Sequence, residues 1–277
     1  MDLDEYRKAS LENWDRIAPN WESERDFIMS STARVSERIV ERADPQQGDT
    51  VLDVAAGTGD TGFMAAERIG PDGRLISTDF AAGMVEAAQR NGEARGLQNV
   101  EYRVLDAEKM DLEDDSVDRV VSRWGYMLMA DPAAALTQTR RVLRDGGRLS
   151  FAVWAGPEQN LWASVPAMVL VERGHIPPPE PGAPGIFAMA DANRIRELVT
   201  GAGFADPDIE QVEVEWAYDE VDMHWEFTLK LAGPLADVIS RLDEEEREAI
   251  RLDVRSRIEP LMQAGEASGI THVVSVG

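Results

Sequence analysis

Residues 51–60 read Val51-Leu52-Asp53-Val54-Ala55-Ala56-Gly57-Thr58-Gly59-Asp60. An apolar run enters a glycine-rich turn, and a helical pattern follows, which predicts strand, tight turn and helix N-terminus in that order. Such a junction brings bare backbone close to a small ligand at a helix start. On the glycines alone, a tight turn with no ligand is the plainer reading. The position at the first strand-to-helix junction favours a ligand, because open α/β sheets hold ligands at the carboxyl ends of their strands.

Working outward, the pattern alternates. Strands are expected at Thr50–Val54, Arg74–Thr78, Val100–Leu105, Val117–Ser122 and Arg148–Trp154, with helices at Asp60–Ile69, Ala81–Arg95 and Pro132–Leu143. Alternation of this kind implies right-handed crossovers and a parallel sheet covered on both faces. Gly70-Pro71-Asp72-Gly73 is a turn, Asp131-Pro132 a helix start, and Asp145-Gly146-Gly147 a helix stop. Residues 1–44 read as helical, with Trp14, Ile17, Ala18 and Trp21 at helical spacing and Pro19 kinking or restarting the helix. After Trp154 the rhythm changes. A helix is expected at Leu161–Arg173, then a stiff linker at Pro177-Pro178-Pro179, Pro181 and Pro184, and a helix capped by Asp191. A strand at Ile209–Trp216 follows, then helices over Asp219–Leu231 and Pro234–Gln263 and a final strand at Thr271–Val276. The organisation is therefore a helical cap (1–44), a ligand-binding core (45–155) and a segment that completes the sheet and covers the site (156–277), all one integrated domain.

Composition narrows the function. The 277 residues carry a formal net charge of −24, which repels phosphate backbones and anionic membrane surfaces. Its plain meaning is solubility, since the acids are spread along the chain. There is no cysteine, so thiolate chemistry is excluded. No apolar run approaches the ~18 residues of a membrane span, and the acidic N-terminus lacks signal-peptide order. A cytoplasmic protein is expected, with neither nucleic acid nor membrane as partner, monomeric or homodimeric. His175, His224 and His272 are too scattered to form a metal constellation.

Two cofactor classes compete for the glycine turn. A dinucleotide needs pyrophosphate on the helix start, and Ala55-x-Gly57-x-Gly59 with Gly62 nearly meets that spacing. Asp79, twenty residues after Gly59, would take ribose hydroxyls in either case. Asp53, just before the glycines, discriminates: it would repel a pyrophosphate and hold an ammonium group. Asp106, after the third strand, is placed for an adenine amino group. Acids at three adjacent strand ends suit a cofactor with an amino group, a ribose diol, an adenine and a positive centre.

At this point the chain resembles the class I S-adenosylmethionine-dependent methyltransferases, in the branch of ubiquinone/menaquinone-biosynthesis and other small-molecule enzymes. The matching segments are Val51–Asp60, Thr78–Met84, Leu105–Glu108, Ser122–Met127 and Arg141–Leu149, in the family's order. The resemblance implies an α/β fold: a Rossmann-like, seven-stranded, mostly parallel sheet with helices on both faces and the last strand antiparallel. It also implies roles. Gly57, Thr58 and Gly59 would let backbone approach the methionine moiety, and Asp53 would order its amino group. Asp79 would take the ribose, Phe80 and Met84 would flank the adenine, and Asp106 and Ala107 would read its edge. Ser122 and Arg123 would face the methyl-bearing sulfur and the acceptor. Ala55 departs from the family, where glycine is common, and narrows the room beside the methionine.

Methyl transfer from a sulfonium is an in-line displacement, so the protein supplies orientation and exclusion of water. Where the acceptor loses a proton, Tyr126 and His224 are the candidate bases, although a lone histidine is more often structural. Trp14, Trp21, Trp124, Trp162 and Trp225, with Tyr126, are the candidate walls of an aromatic acceptor pocket, against the plainer reading of ordinary packing. The expected function is methyl transfer from S-adenosylmethionine, leaving S-adenosylhomocysteine, to a small aromatic or apolar molecule. The alternatives are a quinone C-methyltransferase, a non-catalytic protein that retains the cofactor, and a nicotinamide oxidoreductase.

Overall fold

The computed structural model describes residues 2–180, 182–263 and 268–277; Pro181, one of the linker prolines, lies outside them. The chain opens with α1 (Leu3–Ser23) and α2 (Arg25–Ala43). Asp2 caps α1 by accepting from the Asp4 N–H at 2.9 Å. Pro19 lies inside α1 and does not end it. The expected restart falls instead at Glu24, whose N–H turns back to the Asn20 carbonyl at 3.0 Å.

The core alternates as its sequence dictates: β1 (Thr50–Val54), α3 (Asp60–Ile69), β2 (Arg74–Asp79), α4 (Ala82–Ala94), β3 (Val100–Val104), β4 (Val117–Arg123), α5 (Pro132–Val142) and β5 (Leu143–Trp154). The β5 strand starts before Arg148 because the Asp145-Gly146-Gly147 turn is looped out of it. Leu143 pairs with Val117, and the next partners are Arg148 and Arg119. Gly146 makes the bulge possible with φ 75. The remainder is α6 (Leu161–Glu172), α7 (Ala192–Gly201), β6 (Asp208–Glu215), α8 (Val221–Leu231), α9 (Gly233–Ser240), α10 (Glu244–Gln263) and β7 (Ser268–Val276). The helix expected over Pro234–Gln263 is two helices. Asp243 restarts the second by accepting from the Glu246 N–H at 2.9 Å.

The seven strands form one sheet in the order β3-β2-β1-β4-β5-β7-β6. Only β7 runs against the rest, pairing antiparallel with β5 and β6. Strands β1 to β5 and β6 therefore end at one edge of the sheet. The order reverses between β1 and β4, which makes that point the natural crevice for a ligand. Right-handed crossovers put α3 and α4 on one face and α5 on the other. Helix α2 lies across β4, β5, β7 and β6 beside α3, and α7 packs beside α5.

Burial on both faces explains the near-continuous apolar reading of β1 and β4. A second cluster joins Val165, Val169 and Leu170 of α6 to Trp225, Ile239, Ile250, Val254 and Ile258. It gives the helical cover a small core of its own. Helix α1 ties cover to sheet: Arg7 holds Glu108 at 2.5 Å, Tyr6 donates to the Leu128 carbonyl at 2.8 Å, and Arg16 reaches Asp237 at 3.1 Å. Among the described residues, no helix is long and apolar enough to cross a membrane.

Candidate functional site

The loop between β1 and α3 winds through the left-handed region at Ala55 (φ 53), Gly57 (φ 56) and Gly59 (φ 89). Glycine adopts these angles freely, whereas Ala55 bears a steric cost. A side chain at Gly59 would lie 2.3 Å from the Phe63 ring, while Gly57 faces open space. The loop is held by the Ala56 N–H on the Thr78 carbonyl at 2.8 Å and by Thr58, which donates to Asp60 at 2.9 Å. It thus presents backbone at the N-terminus of α3.

Carboxylates frame it. Asp53 is buried; one oxygen accepts from the Gly62 N–H at 2.9 Å and the other has no partner. Gly62 is required by that closeness, because a Cβ there would be 2.5 Å from the Asp53 oxygen. Burial pushes the Asp53 carboxyl up to about 8, against the Gly62 hydrogen bond and nearby Arg123. Asp79 accepts from the Gly57 and Ala81 N–H groups, both at 3.0 Å, and so locks the glycine loop to the start of α4. Burial outweighs these bonds and pushes it up to about 6. Asp106 caps the turn Ala107–Lys109 by accepting from the Glu108 N–H at 2.9 Å. Asp60 is fully buried and shared by Arg25 of α2 at 2.6 Å and Arg95 at 3.0 Å.

Beside Asp79, Phe80, Met84, Ala18 and Ala81 cluster with Trp14 and Trp21, whose rings lie 5.6 Å apart. The structure thus places these two tryptophans next to the residues expected at the adenine, whereas the sequence placed them in the acceptor pocket.

At the end of β4, the Ser122 hydroxyl is buried without a partner. Arg123 reaches across to α2, donating through Nη1 to Thr32 at 2.8 Å and Ser36 at 3.0 Å, with Met29 sulfur at 3.4 Å. Burial lowers its pKa, opposed by Asp60 and Asp53. Trp124 follows at φ 62. Gly125 then abuts the glycine loop, for a Cβ there would be 2.7 Å from that of Ala55.

From Arg123 a continuous aromatic tract begins. The guanidinium lies 5.2 Å above Trp124, which stacks on Trp154 at 4.3 Å and 15°. Trp154 meets Trp162 and Trp216, and Trp216 meets Tyr218, Phe27 and Phe227. The Trp216 Nε1 and Tyr218 hydroxyl are buried with no partner. Tyr218 also walls an open cleft of about 410 Å³ between α8 and α10. Trp124 and Trp162, expected in the acceptor pocket, both lie in this tract. Trp225 does not: it belongs to the core of the helical cover. Sequence reasoning did not single out Phe27, Trp154, Trp216, Tyr218 and Phe227, which this tract brings together. A usable signal existed for Trp154 and for Trp216 and Tyr218, which end or follow β5 and β6 at the same sheet edge as the glycine loop.

Neither candidate base is simple. Tyr126 is fully buried on the far side, its hydroxyl 2.7 Å from Thr139 of α5 and its ring edge-on to Phe151. Burial raises its pKa above the ordinary phenol value, and its hydroxyl is taken up by Thr139. His224 is buried, and its Nε2 lies 2.7 Å from the Trp162 carbonyl. A carbonyl only accepts, so Nε2 carries the proton and Nδ1 keeps its lone pair. Burial lowers the His224 pKa and keeps the ring neutral. It sits edge-on to Tyr218 at 5.4 Å, at the end of the aromatic tract. Among the described residues, no cluster of histidine, aspartate and glutamate could hold a metal.

Comparison with known proteins bears on this geometry. The family model described as "Methyltransferase domain" matches residues 45–167. The demethylmenaquinone methyltransferase of Thermus thermophilus is 33% identical over 150 residues, covering 54% of this chain and 67% of the relative. The aklanonic acid methyltransferase DauC of Streptomyces is 34% identical over 117 residues, covering 42% and 53%. Matches to the first curated relatives span from 27% to 65% of their length. Among solved structures, the YcgJ protein of Bacillus subtilis superimposes with a TM-score of 0.59 at 17% identity, over 88% of this chain and 97% of that one. At that identity the likeness concerns the fold alone.

Proposed function

Because the chain belongs to the S-adenosylmethionine-dependent methyltransferase family, we propose that it transfers the methyl group of this cofactor to a small aromatic acceptor. The carrying observation is the meeting, at the β1–β4 reversal, of a glycine loop framed by Asp53, Asp79 and Asp106 with an aromatic tract that starts at Trp124.

The residues fit the cofactor. Gly57 leaves an open approach to backbone, and the partnerless Asp53 oxygen suits an ammonium group. Asp79 offers the ribose its carboxylate at the edge of the loop. Phe80 and Met84 supply apolar surface for a base, backed by Trp14 and Trp21, and Asp106 follows β3, whose end the Asp79 carbonyl holds through the Leu105 N–H. When bound, S-adenosylmethionine supplies an activated methyl on a sulfonium. The chain's own task is then to orient and to exclude water. Gly125 lies against Ala55, and Arg123 and Trp124 precede it directly, so this segment borders the methionine end of the loop. The tract beyond them offers flat, apolar walls for a ring.

Where the acceptor must lose a proton, the His224 Nδ1 lone pair is the available base, held in that tautomer by the Trp162 carbonyl. This favours a quinol-like or phenolic acceptor as the second, narrower reading, in line with the names of the relatives. A thermal-shift assay tests the first step. S-adenosylhomocysteine is expected to raise the Tm and NADH to leave it unchanged; the reverse sinks the reading. Radiolabelled methyl transfer to a panel of phenols, quinols and aryl acids tests the second, and a silent panel would favour a protein that retains the cofactor without catalysis.

A further inference from the structure

The chain has 28 cationic side chains in a field of 52 carboxylates, and its buried or half-buried cations are paired with one exception. Arg34, Arg68, Lys109, Arg241 and Arg247 lack a carboxylate within 4.0 Å among the described residues, and all are exposed. Arg123 also lacks one, yet it is half-buried, at the carboxyl end of β4. A half-buried guanidinium without a contacting carboxylate is costly, and its compensation here comes only at longer range, from Asp60 and Asp53. The structure spends only one end of the group. Nη1 makes all the contacts, to Thr32, Ser36 and Met29, whereas Nε and Nη2 have no partner among the described residues and are not sealed from solvent.

The free side of Arg123 is therefore the planar Nε–Nη2 fork, the face that matches two coplanar carboxylate oxygens. Its plane is fixed by the hydroxyls of α2 and by Trp124 beneath it. Along the tract from Trp124, the unpartnered polar groups of Trp216 and Tyr218 are also donors. A ligand that meets the fork must bring oxygen acceptors of its own.

We propose that Arg123 is the anion-recognition residue of the acceptor site, and that the acceptor is a planar aryl carboxylate whose ring lies against Trp124, where the tract begins. This rests on the methyltransferase reading, in that the tract is taken as the acceptor site. The net charge of −24 repels anions at long range, so affinity for an acid must come from this local fork.

Calorimetric titration with 2-naphthoate and with its neutral isostere 2-naphthamide, at pH 7.5 with saturating S-adenosylhomocysteine, tests the proposal. The wild type is expected to bind the acid at least about tenfold more tightly than the amide, the range of a charge-assisted pair. Arg123→Met should bring the ratio to about one, and Arg123→Lys should keep part of it, because charge survives while the fork does not. A wild-type ratio near one, or no binding of either probe, overturns the proposal whatever the variants do. So does a Met variant that keeps the tenfold preference. If S-adenosylhomocysteine itself fails to bind, the methyltransferase reading falls and takes this one with it. Binding of S-adenosylhomocysteine without a preference for the acid overturns only the role of Arg123.

Discussion

The two halves of the site are built by opposite means. At the ends of β1, β2 and β3 the cradle is made of backbone and short acids, all within residues 53–108. Gly57 donates to Asp79, Gly62 to Asp53, and Glu108 to Asp106. Beyond β4 the walls are large side chains delivered by α2, β4, β5, α6, α8 and the segment after β6. The first half fixes a ligand through approach distance and hydrogen bonds, so each glycine and acid has one permitted place. The second, on the proposed reading, would hold a ring against packed aromatic surface, which tolerates exchange among aromatics. One fold can thus keep its cofactor and change its acceptor.

The largest expected effect lies in the polar half. The Asp53 carboxyl is raised by burial to about 8 in the folded protein, so the folded state holds a proton that the unfolded chain releases near pH 4. Between these values the unfolded state binds fewer protons, and stability falls as pH rises. Asp79 adds to the fall only up to about pH 6. Above pH 6.5 the fall belongs to Asp53, offset near that pH by His224 and His272, whose pKa values burial lowers; it should stay below about 1.4 kcal/mol per pH unit and flatten past pH 8. Asp53→Asn is expected to abolish it. Urea melts at pH 6.5, 7.2 and 8.0 without cofactor check this, and a variant that declines as steeply as the wild type would show that Asp53 is already ionised.

The aromatic half is expected to respond in the opposite sense. Trp216 carries an indole N–H buried without a partner, a standing cost of about 1–3 kcal/mol. Trp216→Phe removes the donor and keeps an aromatic ring against Phe27 and Phe227. Stability of the free protein should hold, or rise by up to about 1 kcal/mol once the lost ring area is subtracted. The acceptor KM should rise several-fold with kcat little changed, the mark of binding lost equally in ground and transition states. A variant with unchanged KM would make Trp216 a core residue and erase the contrast between the halves.

The same contrast governs what was legible in the sequence. The polar half is contiguous, and its spacing states its geometry: strand, glycines, then acids at successive strand ends. The aromatic half is scattered from Phe27 to Phe227, and only the sheet order, with β6 parallel to β1 at the far edge, gathers it. Trp225 misled because its helix turns that face toward Val165 and Ile239. Tyr126 misled because the chain reverses into a tight turn after Gly125 and buries the ring beneath α5. Helix ends were legible where a cap states them, as at Asp131, but Pro19 did not stop α1. A proline removes one hydrogen bond, and packing of the same helix on α4 and α8 outweighs the loss.

Ala55 stands where the two halves touch, and it gives the smallest and most diagnostic effect. Its φ of 53 costs about 1–2 kcal/mol for a residue with a Cβ. Replacement by glycine removes that strain but frees the unfolded chain, at about 0.4–1 kcal/mol. The balance predicts that Ala55→Gly stabilises by roughly 0.5 kcal/mol, a rise of a degree or two in Tm for a chain of this size. If alanine were held here only by chance, nothing else should change. Yet its methyl is the atom that faces Gly125, at a distance where a second Cβ would collide. That methyl sets the spacing between the glycine loop and the segment carrying Arg123 and Trp124. Glycine at 55 should therefore loosen the acceptor side while leaving S-adenosylhomocysteine affinity within about twofold, a difference under 0.5 kcal/mol. A gain in Tm with a weaker acceptor and an unchanged cofactor would show that alanine keeps its strain to join the halves. A loss of cofactor affinity instead would place Ala55 wholly in the polar cradle.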